Sequence, residues 1–320
     1  MINTQIKKYS KKDIEIWKNT NISSLHIKIE NNIAEFTKLN NSMIERSTSI
    51  KQMINDAIKK YTIKDLEIII NLEDNPYNNL YFLSISSTTN SNVNTIPGYC
   101  FYQWDYPKSE NYFKIKEDIL KINISWENKI DKIMWSGLNS NIIRNTLNTN
   151  HPFYEYNLVE QYTNTTKFYS LPDHCNYKYL LDLEGVGFAG RFPYISLTGS
   201  CIIILENSDP NRDYKLYYDK DFIEDIHYLK VRYDTKDSFE DIHNKIMKKI
   251  ENNDCKKIGY ICREKANTIF TFDTVLLSLV NILNYYSEYY EKIDVELNKD
   301  LDYNKSMREN TRKILINKYF

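Results

Sequence analysis

Residues 177–205 read YKYLLDLEGVGFAGRFPYISLTGSCIIIL. KYLLDLEG is an apolar, strand-like run, RFPYISL has helical character, and SCIIILE is a second apolar strand. Strand, turn, helix and strand in that order make an α/β unit with parallel strands. The chain holds only 7 Gly, yet Gly185, Gly187 and Gly190 crowd into this one turn. Glycine serves where backbone takes a positive φ or comes close to another group. A turn of this kind exposes amides at a helix start, a natural place for phosphate. Arg191 follows directly, where a cation opposes the helix dipole; one bound anion would satisfy both, because a guanidinium grips phosphate through paired donors. The spacing is formally G-x-G-x-x-G. A nicotinamide dinucleotide would need an acid about 20 residues further on to hold ribose, and Glu206 stands near there. Against that reading, the fingerprint normally opens its domain, and bulky Phe188 follows Gly187.

Upstream, MIERSTSIKQMINDAIKKY (43–61) has helical spacing, and DLEIIIN (65–71) reads as a buried strand that ends in the turn EDNP. YFLSIS (81–86) is a further strand. YCFYQWDYP (99–107) is an aromatic strand or loop whose alternation leaves one face to stack on a sugar, so Phe101, Tyr102 and Trp104 are expected on an acceptor side. EDILKI reads as helix, KIMWSG (132–137) as a strand into a turn, and SNIIRNTLN (140–148) as a helix capped by Ser140. The polar stretch LNTNHPFYEYN (147–157) suggests a boundary near residue 150. Beyond the glycine turn, IHYLKVRY is a strand, SFEDIHNKIMKKI a helix, and the stretch from Ala266 to Ile293 a long helical region. The expected architecture is therefore two α/β halves, 1–150 and 151–290, facing a cleft, with a helical segment at 291–320 that packs back on the first half. Ligands of open α/β sheets lie at the carboxyl ends of strands, where EDNP, WSGLNS and EGVGFAGR all stand.

Composition narrows the partners. The 42 Lys and Arg against 43 Asp and Glu leave a net charge of −1, with no overall drive toward nucleic acid or anionic membrane. Five scattered Cys without a C-x-x-C fit a reducing compartment. MINTQIKKYSKKDIEIW (1–17) lacks the apolar centre of a secretory signal, and FTFDTVLLSLVNIL (270–283) is short and interrupted for a bilayer span. A cytoplasmic protein without a transmembrane segment is expected. No His, Cys, Asp or Glu grouping has metal-site spacing.

Three residues keep two readings each. Asp74 is a turn-former before Asn-Pro or a general base at the mouth of a cleft, with Glu73 as the fallback base. Arg144 is an exposed helical arginine or a ligand-binding one. His174 is catalytic or a loop residue that hydrogen-bonds backbone.

The stretch LPDHCNYKYLLDLEGVGFAGRFPYISLTGSCIIIL (171–205) resembles the core motif of glycosyltransferase family 90, with Asp173, His174, Tyr177, Lys178, Tyr179, Gly185, Arg191, Gly199 and Ser200 at motif positions. WSGLNSNIIR (135–144) is similar to a second family motif through Trp135, Gly137 and Arg144, and IIINLEDNP (68–76) to a third through Asp74 and Pro76. The resemblance implies a GT-B architecture, two Rossmann-like α/β domains facing a central cleft. It also implies inversion at the anomeric carbon, a nucleotide-sugar donor such as UDP-glucose or UDP-xylose, and no cofactor or essential metal. The acceptor would be a hydroxyl of a glycan or protein. Asp74 would be the base. Arg144, Gly137, Leu138 and the turn Val186, Gly187, Phe188, Ala189, Gly190 and Arg191 would bind the donor. Ser136, Leu138 and Ala189 depart from the family pattern, which bears on donor choice. Two rivals remain: an NAD(P)-dependent oxidoreductase on the glycine turn, and a carbohydrate-binding protein whose transferase site has decayed.

Overall fold

The computed structural model describes residues 14, 23–39, 43–74, 76, 83–91, 93–102, 111–160 and 169–303, without the side chains of 38, 39 and 289–303. Trp104 and the stretches 1–13 and 304–320 lie outside these residues.

The chain first builds a mixed sheet. β1 (Ser24–Glu30) and β2 (Ile33–Leu39) pair antiparallel across Asn31 and Asn32, whose φ angles are 52° and 59°. Two consecutive left-handed residues are what a tight hairpin turn requires, and Asn tolerates that region. Helix α1 (Ile44–Lys60) follows, then β3 (Leu66–Asn71), antiparallel to β1. The short strands β4 (Leu83–Ser84) and β5 (Asn94–Thr95) continue in parallel, giving the order β2-β1-β3-β4-β5. The parallel first half expected from sequence is thus only partly parallel, because strands joined by a two-residue turn must run antiparallel.

After α2 (Tyr112–Lys121) the second sheet begins. Its strands are β6 (Ile130–Leu138), β7 (Tyr154–Val159), β8 (Tyr177–Leu183), β9 (Cys201–Asn207) and β10 (Leu229–Tyr233). All pairings are parallel, in the order β10-β9-β8-β6-β7. Interleaved with or following them are α3 (Ile142–Thr146), α4 (Phe192–Ile195), α5 (Phe239–Glu251), α6 (Cys255–Ile269) and α7 (Phe272–Tyr303). This is a Rossmann-like α/β arrangement. β6 pairs with both β7 and β8, so the change of sheet falls between α2 and β6 rather than near residue 150. The polar stretch at 147–157 leads into β7.

The second sheet is buried on both faces, which explains apolar runs such as CIIIL. Trp135, Leu181, Leu183, Ile203 and Val231 face Ile242 and Ile246 of α5 and Ile258 of α6. The alternate residues Met134, Leu180 and Ile202 join Ile27, Met53, Ile68, Ile70 and Leu279 in one core that runs through both halves. α7 packs on α1 and β3 of the first half. Lys60 pairs with Asp273, and Asn284 accepts from the Lys64 amide at 2.9 Å. The part of α7 that lies against the first half begins at Phe272; of the expected segment at 291–320, residues 304–320 and the side chains of 291–303 lie outside the described residues. Among the described residues, no single helix is long and apolar enough to cross a membrane.

From β6 the chain runs to β7 at one edge, then returns to lay β8, β9 and β10 on the other side of β6. The carboxyl ends of β6 and β8 therefore sit side by side with connections leading opposite ways. Such a switch point leaves a crevice in an open α/β sheet.

Candidate active site

A cleft of about 330 Å³ opens at the switch point. Ser136, Gly137 and Leu138, at the end of β6, and the turn from Gly185 to Arg191, after β8, form one wall. Arg46, Asp74 and Tyr99 of the first half form the other.

The glycine turn is shaped by close approach. Neither Gly185 nor Gly187 has a positive φ. A methyl group added at Gly187 would come 2.5 Å from Asp74 Cβ and 2.8 Å from its carbonyl oxygen. Only glycine lets the turn touch the backbone that carries Asp74. Ser86 Oγ donates to the same carbonyl at 2.9 Å. Arg46, on the first turn of α1, places Nη1 2.8 Å from Asp74 Oδ1. Glu73 turns elsewhere: its carboxylate accepts from the Ser23 amide at 3.0 Å.

Two arginines flank Trp135, with guanidinium carbons 5.1 Å (Arg144) and 5.2 Å (Arg191) from the ring. Tyr156 stacks on the same tryptophan at 4.7 Å. Arg144 is buried and already engaged. Nε donates to the Glu184 carbonyl and Nη1 to the Leu138 carbonyl and Ser140 Oγ, each at 2.8 Å, and Nη2 donates to the Leu183 carbonyl at 3.1 Å. It thereby ties the ends of β6 and β8 together. Burial, and then the Arg191 charge, bring its pKa down to about 10. Ser140 serves this arginine, while Asn141 caps α3. The expected Ser140 cap is therefore corrected. Arg191 donates from Nη1 to the Ser136 carbonyl at 2.8 Å and lines the cleft. The helix it opens has only four residues, too few for a sizeable dipole.

His174 is buried with Nδ1 2.9 Å from the Ser170 carbonyl, so Nδ1 carries the proton. Nε2 has no hydrogen-bond partner. Burial first, and Arg191 next, hold the ring neutral by lowering its pKa to about 4. His174 thus sits in a 3₁₀ turn (Pro172–Asn176), bonded to backbone, and also borders the cleft.

The described part of the aromatic segment, 99–102, does not alternate as a strand would. Tyr99–Phe101 is a 3₁₀ turn. Phe101 is enclosed in the core and Tyr102 is buried, its hydroxyl 3.2 Å from Asp56. Neither is among the residues that line the cleft, where an acceptor face was expected, and Trp104 lies outside the described residues. Tyr99 lines the cleft instead, beneath the Arg46 guanidinium at 4.7 Å. Arg46 escaped the sequence reading because it lies 28 positions before Asp74, with no motif linking them.

Glu206 is engaged by basic side chains. Burial disfavours its charge, but Lys230 at 2.8 Å, Arg232 at 3.0 Å and the charge of Lys215 outweigh that and bring its pKa to about 2. Behind the glycine turn lies a smaller cavity of about 100 Å³ bordered by Asp182 and Tyr218, whose buried Oδ1 and hydroxyl have no hydrogen-bond partner. Among the described residues, no three His, Cys, Asp or Glu side chains converge as a metal site.

Fold and cleft together define a Rossmann-like α/β enzyme whose polar site lies at the switch point of its parallel sheet. The chain belongs to glycosyl transferase family 90, whose model matches residues 2–315, and it is a glycosyltransferase. No curated protein matches it closely.

Proposed function

We propose that the protein is an inverting, metal-independent transferase of GT-B type. It moves glucose or xylose from a UDP-sugar to a hydroxyl of a glycan or protein. The observation that carries this reading is the contact of Asp74 with Gly187 inside a cleft that also holds Arg191. The Asp74 carboxylate and the Arg191 cation stand on opposite walls, as a single displacement needs. Asp74 takes the proton of the acceptor hydroxyl as its oxygen attacks the anomeric carbon. The bond from that carbon to the β-phosphate oxygen breaks on the opposite face, and the sugar is inverted. Arg191 and the amides of the turn stabilise the departing diphosphate, work a metal ion would otherwise do. Arg144 holds the two strand ends that carry these groups. Leu138 offers an apolar side chain and no hydroxyl to the donor, consistent with a donor preference of its own.

Incubation with UDP-glucose or UDP-xylose tests the proposal. UDP should be released in excess EDTA, and proton NMR should show the β-anomer of the sugar first. Asp74→Asn should bind UDP with unchanged affinity yet lose about 10²–10⁴-fold in rate, the usual contribution of a general base. Glu73→Gln, which retains an acceptor for the Ser23 amide, should stay near wild type. UDP bound but never released from a UDP-sugar would favour a decayed, carbohydrate-binding protein. Full activity in Asp74→Asn would remove the assigned base.

A further inference from the structure

We infer that Arg46 is the positioning residue that holds and orients the Asp74 carboxylate, an inference that rests on Asp74 being the base. Asp74 lies three residues beyond the end of β3, where no ladder fixes its side chain. Ser86 secures its carbonyl and Gly187 abuts its Cβ, and neither touches the carboxylate. Arg46 does, at 2.8 Å.

The guanidinium is itself held at three points. Nη1 also donates to the Leu72 carbonyl at 2.7 Å, and the group lies 4.7 Å from the Tyr99 ring centre. The start of α1 breaks local preference to make this contact. Met43 occupies the N-cap with φ 64° and offers no side-chain cap. Arg46 sets a cation in a first turn, where the helix dipole opposes it. Violations of local rules concentrate where a tertiary contact is being secured, and the cation of this first turn is the group that meets the Asp74 carboxylate.

The chemistry gives the contact a use. With Oδ1 on a cation, Oδ2 is the oxygen that receives the acceptor proton. As it does so, the acceptor oxygen bonds to the anomeric carbon and the bond to the β-phosphate oxygen breaks. Asp74 then becomes neutral, and the Arg46 charge is left in the cleft where the diphosphate's negative charge has grown. Proton transfer and charge compensation are coupled through one side chain.

Hydrolysis of UDP-glucose, with water in the acceptor's place, tests this through UDP release. Arg46→Met should lower kcat by about 10–100-fold, the scale of a misplaced catalytic group. KM for UDP-glucose and the calorimetric Kd for UDP should stay within about twofold, and Arg46→Lys should recover part of the loss. The deciding measurement is Arg46→Met in the Asp74→Asn background. A residue acting through Asp74 should add almost nothing once the carboxylate is gone, whereas a merely structural role should cost the same in both backgrounds. Wild-type kcat in Arg46→Met, or equal losses in the two backgrounds, would overturn the inference. If Asp74→Asn alone hydrolyses at the wild-type rate, the fault lies in the base assignment, and the role of Arg46 falls with it.

Discussion

Asp182 shows how far a single residue departs from its behaviour in water. It sits on β8, buried, with Oδ1 unpartnered. Burial raises its pKa, and the pull of Arg191 and Arg144 recovers only part, leaving it at about 7. In the unfolded chain a carboxyl of this kind titrates near 3.9. Between those values the folded protein holds a proton that the unfolded chain has lost. Stability from this group is therefore complete below the unfolded value and is lost as pH rises through about 7. Asparagine keeps the shape and does not titrate. Asp182→Asn should gain melting temperature relative to wild type at pH 8, and gain clearly less at pH 5. An equal difference at the two pH values would mean that Asp182 is not held as described. Arg144 and Arg191 teach a related lesson. Both lie over Trp135 and both border the cleft, yet Arg144 gives its donors to three carbonyls and a serine, while Arg191 donates to the Ser136 carbonyl.

Among the elements, the β1–β2 hairpin positions the first half. Its turn is tied to the end of α1 by one side chain. Asn32 accepts from the Ile63 amide at 2.8 Å and donates to the Ile58 carbonyl at 3.0 Å. Through these bonds the hairpin registers α1, and α1 carries Arg46 to the cleft. Asn32→Gly should lose the bonds and keep the left-handed backbone; Asn32→Ala should lose both. Urea unfolding should place Asn32→Gly about 1–3 kcal/mol below wild type. Asn32→Ala should lie lower by a further ~1 kcal/mol, the cost of a Cβ in that region. Equal stability of the two variants would refute the turn geometry.

At the scale of the whole molecule, the shared core decides the behaviour. Leu279 of α7, Ile68 of β3 and Ile202 of β9 belong to one cluster, although 211 of the 320 positions separate the first two. Two sheets that share a core should unfold together. Calorimetry should show one transition, and Leu279→Ala should lower the stability of both sheets at once by about 2–5 kcal/mol. Two separated transitions, only one of them moved by the substitution, would mean that the halves are independent.

Local periodicity and turn chemistry determined most of the second sheet, because strands buried on both faces announce themselves as apolar runs such as YLLDL and CIIIL. The site was half legible for the same reason. Glycines in a glycine-poor chain mark a constrained turn, and Asp74 before Pro76 marks a strand end. The hairpin signal was present too, in SLHIKIE and IAEFTKL around Asn-Asn, though it stood outside the α/β pattern. Only the tertiary structure decided the rest. Gly187 is glycine because Asp74, more than a hundred positions away, presses on it. Arg144 is engaged because four acceptors from two strand ends surround it. Arg46 meets Asp74 because α1 packs where β3 ends. Phe101 is core because its segment coils where the sequence alternates. Each of these depends on which groups meet across long loops, and neither spacing nor local propensity encodes such a meeting.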